Sequence, residues 1–252
     1  WTSPISFVAS ANCILYCGAS VDFVDVDPST ANISTDALEE KLRVAEREGN
    51  LPAVVIPVHM CGQSCDMKRI WELGQRFGFR IIEDASHAIG ARYHDEPVGN
   101  CRYSDVTVFS FHPVKIVTTG EGGMAVTNNP ALAERMVLLR SHGITRDSAA
   151  MASSSEGGWY YEQRDLGFNY RMTDIQAALG CSQMSKLERF VSARARLADR
   201  YTNALASGPA QPLMRSAECT SSWHLYVVAV EDRRRGYDAM RSAGIGVNVH
   251  YI

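Results

Sequence analysis

The apolar positions along the chain follow two periods that alternate from one end to the other. Short runs that are wholly apolar, or apolar at every second position, predict β-strands. They lie at residues 21–26, 53–58, 80–84, 106–111 and 124–127. Runs with helical spacing predict helices at residues 7–17, 34–48, 66–77 and 130–140, and one helix or two within 173–205. Strands that alternate with helices predict an α/β fold with a mostly parallel central sheet and helices on both faces.

Polar and glycine residues mark the ends of these runs. Ser34 or Thr35 is expected to cap the N-terminus of the second helix, because a side-chain oxygen there can accept a free backbone N–H. Gly49 is expected to end that helix, and Gly78 to end the next one, since glycine adopts the left-handed conformation that stops a helix.

The length of 252 residues suits one large domain with part of another. We expect residues 1–205 to form a large domain that ends in the long helical region. Residues 206–252 would begin a small α/β domain, with a strand at 223–230 and a helix and second strand within 236–251. The chain starts without Met and stops in an apolar segment, so we expect it to be a piece of a longer protein.

Composition excludes several classes of protein. The hydrophobic fraction of 46% and charged fraction of 21% are those of an ordinary globular protein, and the net charge of -3 gives no reason to expect nucleic acid or an anionic membrane as a partner. No apolar run approaches the ~20 residues that span a bilayer, and Trp1 is not followed by a secretory signal. Seven cysteines, an odd number, favour a reducing compartment, so we expect a cytoplasmic protein.

Two cysteine pairs have C-x3-C spacing. His59 lies close to the pair Cys61 and Cys65, an arrangement that invites comparison with a metal site. A zinc site needs four ligands in paired spacings, and the second pair of ligands is missing from the sequence. We therefore expect no metal.

Lys115 stands apart from the other lysines. The chain has only four lysines among 25 basic residues, and Lys41, Lys68 and Lys186 lie in charged, helix-like stretches. Lys115 instead follows the apolar run at residues 106–114. Burial disfavours its charged form and lowers its pKa, which makes it a candidate amine nucleophile able to form a Schiff base. The alternative is a lysine whose stem packs on the strand end while its amine reaches solvent.

Glu83 and Asp84 are adjacent carboxylates at the end of an apolar strand. Strand geometry sends them to opposite faces, so only one can enter a crevice at the sheet edge. A buried carboxylate needs a cationic partner, and none is near in sequence. A protonated nitrogen heterocycle would supply that charge. Together with Lys115 this is consistent with pyridoxal phosphate, and equally consistent with two carboxylates that only cap and solvate the strand end.

The segment after the next strand offers phosphate-binding groups. The Ser110 hydroxyl and the backbone amides after Thr118 could donate to a phosphate. The glycines at residues 120–123 match neither a dinucleotide-binding motif nor a P-loop, and a tight turn between strands is expected there.

Four segments together resemble the DegT/DnrJ/EryC1/StrS aminotransferases. They are residues 83–90, 109–115, 119–123 and 166–178, and the similarity runs over the whole chain. The resemblance implies a type I, aspartate-aminotransferase-like fold, pyridoxal 5'-phosphate as cofactor, and nucleotide-linked keto sugars as substrates. Four stretches are most similar to the branch that aminates C4 of a UDP-linked 4-keto-6-deoxy-N-acetylhexosamine with glutamate as donor. They are residues 110–115, 140–144, 223–226 and 246–251.

The resemblance also implies roles for matching residues. Lys115 would form the internal aldimine and transfer the proton, and Asp84 would pair with the pyridinium nitrogen. His87 would lie near the ring oxygen of the cofactor, and Phe7 would stack on the ring. For Phe7 and His87 the alternatives are a core aromatic residue and a buried histidine with satisfied hydrogen bonds.

Other implied roles involve the phosphate and a second subunit. Ser110 would bind the phosphate, and Asn169 would reach it from the partner subunit of a homodimer with shared active sites. Members of the family carry further segments before Trp1, including a turn whose amides hold the phosphate, and after Tyr251. Two alternatives remain: a pyridoxamine-dependent sugar dehydratase, in which histidine replaces the lysine, and a catalytically inactive fragment.

Overall fold

The structure is a computed structural model that describes residues 1–251. Seven α-helices lie within that range: α1 (Ala9–Tyr16), α2 (Thr35–Glu48), α3 (Met67–Phe77), α4 (Pro130–Arg140), α5 (Asp174–Met184), α6 (Leu187–Leu205) and α7 (Arg233–Ser242). Eleven short strands accompany them: β1 (Val54–Val55), β2 (Arg80–Asp84), β3 (Arg92–Tyr93), β4 (Glu96–Pro97), β5 (Val106–Ser110), β6 (Gly123–Val126), β7 (Ile144–Thr145), β8 (Glu162–Gln163), β9 (Gln211–Pro212), β10 (Cys219–Thr220) and β11 (Val228–Ala229). Two 3₁₀ turns are Met60–Gly62 and Ser148–Ala150.

The central sheet has four strands in the order β1-β2-β5-β6. The first three are parallel, and β6 returns antiparallel to β5. Thr2 extends the sheet beyond β1 through single parallel bridges to Ile56 and Phe23. The predicted α/β fold with a mostly parallel sheet is therefore confirmed. Because β2 and β5 are parallel, their carboxyl ends lie at the same edge of the sheet.

The helix caps follow the sequence. Ser34 is the N-cap of α2 and accepts the N–H of Ala37, while Gly49 ends the helix with φ +68°. Asp66 caps α3 in the same way, and Gly78 ends it with φ +82°. These local signals determine where both helices begin and end, because each cap satisfies backbone groups that the helix itself leaves free.

Apolar clusters cover both faces of the sheet. One cluster joins α2 and α3 to β1 and β2; its buried members include Leu38, Leu42, Ile70, Leu73, Val55 and Ile81. A second cluster lies under α6 and contains Ile89, Phe111, Ile116 and Val117, packed against Leu187, Phe190 and Val191. The helices on both faces thus bury the sheet and hold the loop that follows β5.

The predicted strand at residues 21–26 is wrong as a continuous element. Only single bridges form there, from Phe23 to Thr2 and from Val26 to Ile33. Asp22 and Asp25 each accept the backbone N–H of the next residue with their own side chains. Such local hydrogen bonds compete with ladder pairing, and they limit this edge segment to isolated bridges.

Other element limits also differ from those predicted. The predicted helix at residues 7–17 is shorter, α1, and the predicted helical region at 173–205 forms two helices, α5 and α6. The predicted strand at 223–230 is reduced to β11, because Trp223 has φ +55°, outside the extended region. Helix α7 begins at Arg233, capped by Asp232, and no strand follows it within the described part of the 236–252 segment. The domain division after residue 205 stays a prediction.

The segment after residue 206 packs closely on the large sheet. Ser222 donates to the carbonyl oxygen of His87 at 2.9 Å, and its own N–H donates to the Gly62 carbonyl. Gly62 has φ +101°, and a Cβ there would lie 2.5 Å from the Ser222 Oγ. Only glycine allows this approach, which positions the residues that follow Ser222 beside the end of β2.

Glu83 faces the interior and is satisfied there. Its carboxylate accepts hydrogen bonds from the Nε2 of His59 (2.7 Å), the hydroxyl of Thr107 (2.9 Å) and the hydroxyl of Ser104. Burial opposes ionisation, but these donors hold the pKa of Glu83 below its ordinary value. The Nδ1 of His59 accepts the N–H of Cys65, so the ring proton lies on Nε2, facing the carboxylate. The neighbour that Glu83 lacks in sequence is thus supplied by the β1–α3 connection.

We expect His59→Ala to lower the free energy of unfolding by about 2–4 kcal/mol, because the buried carboxylate loses a donor and a cavity opens. Arg234→Ala serves as the control, since its ion pair with Asp238 is exposed, and it should cost less than about 1 kcal/mol. Urea unfolding measures both. Equal effects of the two variants would contradict a stabilising role for the His59 hydrogen bond.

Candidate active site

Asp84 occupies the face of β2 opposite to Glu83. One carboxylate oxygen, Oδ2, accepts the Ser10 hydroxyl at 2.6 Å, and the other, Oδ1, accepts the N–H of Ser86 at 3.0 Å. The backbone of Asp84 is paired with Val108 of β5 and with Val58 beyond β1. The carboxylate is therefore fixed at the carboxyl edge of the parallel strands, where α/β proteins bind ligands.

Lys115 lies on the loop between β5 and β6, and that loop is anchored on both sides. The Phe111 carbonyl accepts the Thr119 N–H (3.0 Å) and the Thr118 hydroxyl (3.0 Å). Ile116 and Val117, directly after the lysine, are buried in the apolar cluster under α6. These contacts hold the backbone of Lys115 at the same sheet edge as Asp84.

The environment of Lys115 favours its neutral amine. The side chain is half-buried, and burial lowers its pKa below the ordinary value of 10.5, while the charge of Asp84 opposes that shift. The net effect matches the sequence prediction of a lowered pKa. A larger share of neutral amine at a given pH makes this lysine a better nucleophile than an exposed one.

His87 follows the same strand and enters a cluster of aromatic side chains. Its ring lies 4.4 Å from the ring of His224, centre to centre, and its Nε2 is 3.3 Å from the Tyr251 hydroxyl. Burial is the main cause that lowers the pKa of both histidines to about 3, and the charge of Lys115 adds to it. Within residues 1–251 the Nδ1 atoms of both rings are buried and have no hydrogen-bond partner. These two nitrogens are polar groups available to a ligand.

The remaining predicted site residues, Ser110, Phe7 and Asn169, lie in three different environments. Ser110 ends β5, and its hydroxyl accepts the N–H of His112 at 3.4 Å. Phe7 is 61% exposed, and its ring centre lies 6.5 Å from that of Tyr251. Asn169 is exposed and forms a backbone bridge with Ser141. The contacts described for residues 1–251 thus join Asp84, His87, Lys115 and Phe7 in one region, and they do not link Asn169 to it.

Sequence reasoning missed three residues of the site. Ser10 was hidden within an apolar helix, and its partner Asp84 is 74 positions away. His224 and Tyr251 lie in segments that were singled out for their resemblance, but no role was assigned to them. The only sequence signal for His224 was its place in the segment at residues 223–226. In the structure, the guanidinium of Arg194 donates to the backbone carbonyl oxygens of Trp223 and His224 and holds that segment in place.

A separate cavity of about 480 Å³ lies between residues 60–63 and 212–227. Met60, Arg215, Trp223 and Tyr226 line it, and Asp84, His87 and Lys115 do not. The candidate active site is therefore defined by its converging side chains rather than by this cavity. Among residues 1–251, no group of three or more histidine, cysteine or acidic side chains could hold a metal ion, and no helix there has the length and apolar character of a membrane span.

An apolar surface lies around Asn169. Leu166, Phe168, Tyr170 and Ile175 are 84%, 55%, 73% and 85% exposed. The rings of Phe168 and Tyr170 stack on each other with centres 4.7 Å apart. A cluster of large exposed apolar side chains of this kind is characteristic of an interaction surface.

The mostly parallel sheet, with a carboxylate and a half-buried lysine at its carboxyl edge, is similar in fold to solved aminotransferases. Residues 2–252 match the DegT/DnrJ/EryC1/StrS aminotransferase family, and the chain belongs to that family.

Three relatives illustrate the similarity. The UDP-4-amino-4,6-dideoxy-N-acetyl-beta-L-altrosamine transaminase of Campylobacter jejuni is 36% identical over 256 residues, covering 99% of this chain and 64% of the relative. PseC of Helicobacter pylori, an aminotransferase involved in pseudoaminic acid biosynthesis, has a TM-score of 0.88 at 31% identity, covering 100% of this chain and 64% of that one. The putative sugar aminotransferase Spr1654 of Streptococcus pneumoniae, in its PMP form, has a TM-score of 0.85 at 30% identity, covering 100% and 67%. The chain spans 64% of the length of the curated relatives it matches.

The low pKa values of His87 and His224 predict acid sensitivity. An unfolded histidine binds a proton near pH 6.5, whereas these folded side chains stay neutral down to about pH 3. The unfolded chain therefore takes up more protons as the pH falls below 6.5, and each histidine lowers the free energy of unfolding by up to about 1.4 kcal/mol per pH unit.

Urea unfolding at pH 7, 6, 5 and 4 tests this. His224→Gln should flatten the pH dependence relative to the unsubstituted protein, and the exposed control His142→Asn should leave it unchanged. If His224→Gln and His142→Asn gave the same slope as the unsubstituted protein, burial of a neutral His224 would be refuted.

Proposed function

We propose that the protein, within its full-length chain, is a pyridoxal-phosphate-dependent aminotransferase that moves an amino group from glutamate to C4 of a nucleotide-linked 4-keto-6-deoxy sugar. The expected sugar nucleotide is a UDP-linked N-acetylhexosamine. The observation that carries the proposal is the convergence of the half-buried Lys115 amine and the fixed Asp84 carboxylate at one sheet edge.

The site residues fit pyridoxal phosphate. Among residues 1–251 each oxygen of Asp84 has one donor and keeps a lone pair, so the carboxylate can accept a further hydrogen bond from a ring N–H. The buried Nδ1 of His87 has no partner within the described residues and matches the role proposed for it beside the ring oxygen. Phe7 has an exposed ring face, and Ser110 carries a hydroxyl suited to the phosphate. When bound, the cofactor withdraws electrons from the substrate carbon that loses its proton.

Lys115 is proposed to serve as covalent anchor and proton carrier. Its lowered pKa gives the Nζ amine a larger neutral share at a given pH than an exposed lysine has. The neutral amine can attack a carbonyl and can later accept and return a proton. The positive charge that the amine gains is opposite in sign to Asp84, which stands close enough to influence it. The presence of this lysine argues against the dehydratase alternative, in which a histidine takes its place.

The substrate part of the proposal comes from the relatives. Two of the three are named for transaminases of amino-sugar or pseudoaminic acid synthesis. The segments at residues 140–144, 223–226 and 246–251 resemble that branch, and His224 and Tyr251 from two of them border the His87 ring. A substrate bound against those segments would lie next to the cofactor.

We further propose a homodimer in which Asn169 serves the site of the partner subunit. The exposed apolar surface of Leu166, Phe168, Tyr170 and Ile175 supports this arrangement, because its burial would favour association. The cysteines of the chain are all free, which supports a reducing, cytoplasmic compartment.

Incubation of the full-length protein with pyridoxal phosphate, followed by borohydride reduction and peptide mass spectrometry, should label Lys115. The physical reason is its larger share of neutral amine. Lys115→Ala should abolish the label, whereas Lys186→Ala should leave it in place. Label spread over Lys41, Lys68 and Lys186 with Lys115 unmodified would remove the proposed anchor.

A second measurement addresses the substrate. Glutamate alone should change the visible absorption spectrum of the loaded protein, and addition of the UDP-linked 4-keto-6-deoxy-N-acetylhexosamine should restore it. The matched control is the corresponding sugar with a C4 hydroxyl, which offers no carbonyl and should have no effect. A response to glutamate with no recovery on the keto sugar would keep the reaction class and exclude this substrate.

A further inference from the structure

Helix α1 buries a polar side chain and leaves large apolar side chains exposed. Most of its side chains are apolar, yet Leu15 and Tyr16 are 53% and 84% exposed, and Ser10 is the buried residue of the helix. Burial of a hydroxyl costs free energy unless it forms a hydrogen bond. The pattern indicates that the contact made by Ser10, rather than apolar packing, decides how α1 is docked on the sheet.

That contact is directed at Asp84. The Ser10 hydroxyl donates to Oδ2 at 2.6 Å, within the short range typical of a hydroxyl bonded to a carboxylate. The Ser10 oxygen lies 2.9 Å from the Ser6 hydroxyl oxygen, which is also 3.0 Å from the carbonyl oxygen of Phe7. Residues 6–10 thus join the aromatic ring proposed to stack on the cofactor to the carboxylate proposed to meet its nitrogen.

The two hydrogen bonds on Asp84 set the direction of its free lone pairs. With Ser86 N–H on Oδ1 and Ser10 on Oδ2, rotation of the carboxylate would break both bonds. When an ionised carboxylate faces a heterocyclic nitrogen, the shared proton stays on the nitrogen.

We propose that Ser10 is a positioning residue that orients the Asp84 carboxylate toward the ring nitrogen of pyridoxal phosphate. The inference rests on the proposed function. Ser10 does not touch the cofactor in this scheme; it acts through Asp84 alone.

The test compares Ser10→Thr with Ser10→Val in the full-length protein. The two side chains have nearly the same shape, and only threonine keeps a hydroxyl, so a difference between them reports the hydrogen bond rather than packing. Ser10→Ala adds the simple deletion, and Ser185→Ala is the matched control, since Ser185 is exposed and lies at the end of α5, bonded only within its own turn.

Two readouts other than activity are measured: the dissociation constant of pyridoxal phosphate, and the 15N chemical shift of cofactor labelled at the ring nitrogen. A hydrogen bond to a charged group contributes enough to predict about tenfold weaker binding or more for Ser10→Val and Ser10→Ala. Their 15N shift should move toward the unprotonated form. Ser10→Thr and Ser185→Ala should match the unsubstituted protein in both readouts.

The outcomes separate this inference from the proposed function. If the unsubstituted protein fails to bind the cofactor at Lys115, both are overturned. If it binds, and Ser10→Val equals Ser10→Thr in affinity and in 15N shift, the role of Ser10 is overturned while the function stands. Circular dichroism of each variant without cofactor identifies any that do not fold, and the Thr–Val comparison then decides.

Discussion

The parallel pairing of β2 with β5 determines the geometry of the candidate active site. Its register places Asp84 opposite Val108, two residues before β5 ends at Ser110. The carboxylate at the end of one strand and the lysine loop after the other are thereby brought to one edge of the sheet. Everything else in the site is attached to this pair: α1 through Ser10, and the segment after residue 206 through His87.

The two adjacent acidic residues of β2 lie in different environments. Alternation sends Glu83 into the interior, where three side-chain donors satisfy it, and Asp84 to the crevice, where two donors leave room for a ligand. His59 fixes the end of the strand in two ways: its ring bonds Glu83, and its backbone N–H donates to the Asp84 carbonyl. This rigid support allows the Asp84 carboxylate to keep a precise direction.

Local signals in the sequence predicted much of the fold but only part of the site. Ser34, Gly49 and Gly78 set helix ends because capping depends on neighbours along the chain. The segment at residues 21–26 was mispredicted because side-chain bonds of Asp22 and Asp25 compete with strand pairing. The sequence showed no cationic neighbour for the adjacent carboxylates, whereas the fold supplies Glu83 with His59 from 24 positions away. Ser10 could not be found from local pattern at all, since its importance lies in a contact across the fold.

The contact of Gly62 with Ser222 has a consequence for how this protein can vary. A Cβ at position 62 would collide with the Ser222 Oγ and crowd the carbonyl oxygen of His87, so the two segments cannot change independently. A chimera that joined residues 1–205 of this chain to the remainder of a distant relative would have to preserve this fit. The missing Cβ of Gly62 thus restricts where the sequences of two relatives can be joined in a functional hybrid.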